Sequence, residues 1–148
     1  MNNKALTARE YLEQLQELDI NISQDLERLA DMKTSACSTG GIDYSSDRVQ
    51  TSTSGNNLCS QVTNYITLNE QINQEIDRFS DAKNLIIQQI RDLQNKYYIQ
   101  VLFKVYVQYK NLKQASKEIG LSYQYVRNIH KKALKAFEEL HTDLHYLT

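Results

Sequence analysis

The sequence predicts an all-α protein, and three observations predict it. None of the 148 residues is proline, where average usage gives about 7 in a chain of this length, so helices can run uninterrupted. Three of the four glycines (Gly40, Gly41 and Gly55) lie in one region, which leaves the rest nearly free of the other common helix breaker. Apolar residues recur at threes and fours over long stretches, with no β-branched run bounded by turn residues and no Asn-Gly or Asp-Gly hairpin signal.

The first helix opens at Thr7-Ala8-Arg9-Glu10, a capping box in which hydroxyl and carboxylate each reach the other residue's amide. Tyr11, Leu15, Leu18, Ile22, Leu26, Leu29 and Met32 then form one apolar stripe, on a helix of about 26 residues and roughly 39 Å. Glu13, Glu17, Asp25 and Asp31 mark a solvated face. From Thr34 to Asn57 the pattern stops. "TSACSTGGIDYSSDRVQTSTSGNN" is rich in Ser, Thr, Gly and Asn and is expected to be a mobile polar loop, with Ile42, Tyr44 and Val49 as weak anchors.

A second stripe runs from Leu58 through Val62, Tyr65, Leu68, Ile72, Ile76, Phe79, Ala82, Ile86 and Ile90 to Leu93. It implies a helix of about 37 residues, on the order of 55 Å, with a heptad pattern that seeks a partner helix. The expected pairing is a long antiparallel, coiled-coil-like hairpin over residues 1–94, with the loop at 34–57. The first helix is about 16 Å too short to cover the second. The surplus turns then lie against the C-terminal helices or another subunit, so a homo-oligomer is expected, a dimer being favoured.

Residues 95–148 form the second expected domain. "YYIQVLFKVYVQY" places Tyr98, Leu102, Val105, Tyr106 and Tyr109 on one face, widened by Ile99, Phe103 and Val107, as befits a helix buried on several sides. Charge divides the chain at the same place. Residues 1–94 carry 8 Lys and Arg against 14 Asp and Glu, a net of -6, and residues 95–148 carry 9 against 4, a net of +5. The basic end is the candidate for a polyanionic partner.

Within it, Asn111 and Gln114 make a second capping box, Gly120 sits where a left-handed helix end is cheap, and Ser122 caps the next helix. Ala115 and Ser116 leave room for a close helix crossing. Val126, Ile129, Ala133 and Phe137 form an inward stripe, with Val126 and Ile129 at +6 and +9 from Gly120. This is the spacing of a helix-turn-helix. On the outward side Tyr123, Gln124, Arg127, Asn128 and Lys131 share one face. Gln and Asn can pair with adenine, Arg with guanine, and Tyr can touch a thymine methyl. Lys110, Lys113, Lys132 and Lys135 are placed to contact phosphates, as is the amide end at Ser122. His130 is expected on the helix surface near phosphates, and Tyr125 beside the core.

The stretch "VLFKVYVQYKNLKQASKEIGLSYQYVRNIHKKALKAF" resembles region 4 of the sigma-70 family, the helix-turn-helix that reads the -35 promoter element. The shared frame is Leu102, Tyr106, Leu112, Ala115, Ile119-Gly120-Leu121-Ser122, Val126-Arg127, Ile129 and Lys132-Ala133-Leu134. With "AREYLEQLQELD" and "SDRVQTSTSG", the whole chain resembles small sigma-70 region 4-like proteins of Gram-positive phages and integrated elements, similar in outline to phage late-transcription regulators. Three positions depart from the pattern. Tyr123 and Gln124 stand where region 4 usually has charged residues, and Tyr109 where a glycine is usual. Nothing resembles region 2, which melts the -10 element.

The resemblance implies a sequence-specific, non-enzymatic transcriptional regulator acting on double-stranded DNA, with bacterial RNA polymerase as a further partner. A phage small terminase subunit and an adaptor that touches only polymerase or a sigma factor are the alternatives. No cofactor is expected: Cys37 and Cys59 make no metal spacing with His130, His141 and His145. With no apolar span and no signal-peptide core, the expected place is the cytoplasm of a bacterial host cell, away from membranes.

Overall fold

The structure, a computed structural model, describes residues 5–39 and 51–147 and is all-helical over them. Helix α1 spans Ala8–Thr39, α2 Thr51–Arg91, α3 Lys96–Leu102, α4 Leu112–Ile119 and α5 Tyr123–Leu140, with a π-helical turn at Phe103–Val107 between α3 and α4. Among the described residues no helix is long and apolar enough to cross a membrane.

Both long helices run into the segment expected to be a loop. α1 continues to Thr39 and α2 begins at Thr51. No proline stops them, and adding a residue to an existing helix is far easier than starting one. Hydroxyl side chains are accommodated by bonding back to the preceding turn, as Thr34 Oγ1 does to the Ala30 carbonyl at 2.9 Å and Thr63 Oγ1 to that of Cys59 at 2.8 Å. The proposed anchors Ile42, Tyr44 and Val49 lie outside the described residues, as does the side chain of Cys37. Cys59 is an exposed thiol.

Compactness divides the chain into two units. Unit 1 joins Met1–Asp19 to Phe79–Thr148, and unit 2 is Ile20–Arg78. The boundary expected at residue 94 therefore falls inside unit 1. Among the described residues of unit 2, Ile22, Leu68 and Ile72 are the buried apolar side chains. Burial, then the neighbouring Asp25 carboxylate, raises the Glu75 pKa, while Arg78 opposes the rise.

Unit 1 holds the main core. Tyr11, Leu12 and Leu15 from the start of α1 meet Ala82, Ile86 and Ile90 of α2, with Leu102 and Tyr106 behind them and Ala133 and Phe137 of α5 closing the cluster. Tyr11 Oη donates to Gln89 Oε1 at 2.9 Å. The expected box at Thr7 is present: Thr7 N–H donates to Glu10 Oε2 at 2.9 Å and Glu10 N–H to Thr7 Oγ1 at 3.3 Å. Ala8 N–H donates to Glu138 Oε1 at 2.8 Å, so a carboxylate from α5 sits on the positive end of α1. The segment after α5 folds back. Leu144 is buried and its carbonyl accepts from Leu6 N–H at 3.0 Å, while Leu147 N–H donates to Gln14 Oε1 at 2.7 Å.

Asn95 caps α3 by accepting from Tyr97 and Tyr98 N–H. The π-turn follows, with Gln108 N–H donating to the Phe103 carbonyl and Lys110 N–H to that of Lys104, both at 3.0 Å. Between them Tyr109 adopts φ +58°, a left-handed backbone that suits glycine far better than an L side chain. Its ring is half-buried, and burial followed by the Asp19 carboxylate raises its pKa. The Asp19 carboxylate of α1 thus lies close to this turn.

Gly120, at φ +81°, ends α4. A Cβ built there meets nothing within 4 Å, so Gly120→Ala adds only the cost of the left-handed backbone. The expected loss is about 1 kcal/mol, read as a lower urea midpoint with an unchanged slope.

Candidate nucleic-acid interface

α4 and α5 are joined by Gly120, Leu121 and Ser122, and each end is held locally. Asn111 Oδ1 accepts from Gln114 N–H at 2.8 Å while Gln114 Oε1 accepts from Asn111 N–H at 3.2 Å. Ser122 Oγ accepts from Tyr125 N–H at 3.2 Å. Ala115 and Ser116 are buried where α4 meets α5, and Val101, Val126 and Ile129 form a small core beneath Leu112, Ile119 and Leu121. All four residues of the inward stripe, Val126, Ile129, Ala133 and Phe137, are buried.

The outward stripe is free of that core. Tyr123, Gln124, Arg127, Asn128 and Lys131 are all exposed, and so are Lys113, Ser122, Lys132 and Lys135. From Tyr123 to Phe137 the helix carries Arg127, Lys131, Lys132 and Lys135 and no acidic residue. Lys110 is differently placed. Its Nζ donates to both Glu118 oxygens at 2.6 and 2.7 Å, and Lys104 Nζ reaches the same carboxylate at 3.2 Å. These bonds, that of Lys110 first, hold the Glu118 carboxyl below its usual range. Lys110 therefore braces α4 against the π-turn while Glu118 holds it.

Two neighbouring residues lie elsewhere than the sequence suggests. Tyr125 is 51% exposed rather than packed beside the core, because at about 100° per residue it falls outside the inward stripe of Val126, Ile129, Ala133 and Phe137. His130 is half-buried rather than on the surface. Its Nε2 shares a 2.8 Å hydrogen bond with the Tyr106 hydroxyl, and the two rings stack with centroids 5.7 Å apart. Periodicity does place His130 between the inward and outward faces of α5. The Tyr106 partner, 24 residues away, left no local signal.

Burial, with Arg9 adding to it and Glu13 opposing, lowers the His130 pKa from 6.5. Burial also pushes the Tyr106 phenol up to about 12. The folded chain thus resists a proton that the unfolded chain accepts near pH 6.5. Stability from His130 is complete above that pH and falls as pH drops through it towards the lowered folded value, whereas that from Tyr106 is present below pH 10.0 and is lost as pH rises towards about 12. Urea unfolding at pH 7.5 and pH 5.0 is expected to show the loss, and His130→Gln to flatten that part of the profile.

No family model, curated protein or solved structure matches this chain. Among the described residues no group of His, Cys, Asp and Glu could hold a metal ion.

Proposed function

We propose that the protein is a non-enzymatic, sequence-specific DNA-binding transcriptional regulator of a phage or mobile element, built as a helical hairpin followed by a sigma region 4-like helix-turn-helix. One observation carries this function: α5 is locked into a core by its inward stripe while, from Tyr123 to Lys135, its opposite face presents amide, tyrosine and cationic side chains with no acid among them. A helix of this kind fits the major groove, where Gln124, Asn128 and Arg127 meet base edges and Lys132 and Lys135 meet phosphates. Tyr11 of α1 bonded to Gln89 of α2 supports the antiparallel hairpin, which would set a dimer or contact polymerase.

The test is binding to duplexes from upstream of the protein's own and neighbouring genes, against random duplex, at two salt concentrations. Preference for one site, weakened by salt, is the expected result. Equally weak binding to every duplex would overturn sequence reading and point to polymerase or a sigma factor as the partner. A ring of many subunits binding a packaging site would point to a small terminase subunit.

A further inference from the structure

An open cleft of about 580 Å³ runs beside the start of α5, walled by Arg9 and Glu13 of α1, Tyr106 of the π-turn, Lys113 of α4, and Tyr123 and His130 of α5. Its position on α5 is informative. At about 100° per residue, Gln124, Lys131, Asn128 and Lys135 occupy the middle of the outward face, with Tyr123 and His130 towards one flank and Tyr125 and Lys132 towards the other. A helix seated in a major groove about 12 Å wide has a sugar-phosphate strand along each flank. Lys132 serves one flank. On the other flank lies the cleft, and its cations come from α1 and α4.

The chemistry of the walls suits a phosphate oxygen. Arg9 is largely exposed and, among the described residues, is paired with its neighbour Glu13 at 2.9 Å, with side-chain exposures of 68% and 45%. Such an i,i+4 surface pair is weak and readily exchanged. Lys113 is exposed and makes no ion pair among the described residues. Beside it, the first-turn N–H groups of Leu112 and Lys113 have no intrahelical acceptor, and they add the positive end of α4. Tyr106 and His130 supply a wall whose groups stay neutral at pH 7.5, since burial raises the phenol pKa and lowers that of the imidazole. Glu13 opposes an anion here, and Arg9 must turn from it to bind one.

Resting on the DNA-reading function above, we propose that this cleft seats one backbone phosphate between Arg9 and Lys113, making the first turns of α1 part of the nucleic-acid interface. The experiment is a salt titration of duplex binding by the full chain and by Arg9→Gln, Arg9→Lys, Glu13→Gln and Lys132→Ala. Arg9→Gln is expected to lower the slope of log affinity against log salt by about 0.9, the share of one phosphate. The loss should be equal on specific and random duplex. Between 50 and 200 mM salt that amounts to about a threefold smaller change in affinity. Arg9→Lys should keep the slope and Glu13→Gln should tighten binding. Unchanged slope and affinity in Arg9→Gln, with a reduced slope in Lys132→Ala, would overturn the cleft and leave α5 as a DNA reader. Failure of the unaltered protein to bind any duplex at low salt would overturn both.

Discussion

Phe137→Ala is expected to destabilise unit 1 by about 3–5 kcal/mol, the largest loss from any single substitution considered. Phe137 is fully buried, with the Tyr11 ring 6.0 Å and the His141 ring 4.7 Å from its own. Its cluster draws on α1, α2, α3, the π-turn and α5. Those walls are helices fixed by their own backbone bonds, so they cannot close on the space that a lost ring leaves. Against a typical domain stability of about 5–15 kcal/mol, such a loss leaves the unit marginal. Urea unfolding followed by circular dichroism measures it, and a loss under about 1 kcal/mol would show that this ring is not the centre of the core. Leu85, 44% exposed, is the control: Leu85→Ala should fall within about 0.5 kcal/mol of the unaltered chain.

Gln124→Ala combined with Arg127→Ala is expected to abolish preference for a specific duplex under the proposed function. A side chain that pairs with a base is worth about 1–3 kcal/mol of discrimination, or roughly five- to 150-fold. The two positions are one turn apart on α5, so their losses need not add. Binding to random duplex should change far less, because phosphate contacts supply that affinity. The comparison therefore needs both duplexes at one salt concentration. Equal losses on both would show that these side chains act as general polar contacts. Both are exposed, so the double variant should fold normally, which thermal unfolding would check.

Local chemistry was legible in the sequence. The boxes at Thr7–Glu10 and Asn111–Gln114, the left-handed Gly120 and the Ser122 cap each depend on residues within a few positions of one another, and each is present. So is the α5 stripe, which follows from helical period alone. The ends of the polar segment differ from the expected loop because composition describes preference, while α1 and α2 simply continue in the absence of a stop. Contacts between distant residues were not legible. Nothing near Leu144 marks it as core, nothing near Glu138 marks it as the anion at the start of α1, and nothing near His130 points to Tyr106. Tyr109 is an intermediate case. The resemblance flagged it as standing in a glycine position, and the φ of +58° supplies the physical reason.

The bond from Ala8 to Glu138 spans 130 positions and that from Leu147 to Gln14 spans 133. Such contacts mean that unit 1 can be finished during synthesis only after unit 2 has emerged. Its first helical turns leave the ribosome early and then wait for Phe137 and Leu144 before their apolar side chains are covered. Unit 2, contained within Ile20–Arg78, has no such delay. Until the final turns of α5 emerge, Tyr11, Leu12 and Leu15 have no finished site to occupy. During that interval the nascent chain is most open to chaperones, to proteases and to a second copy of itself.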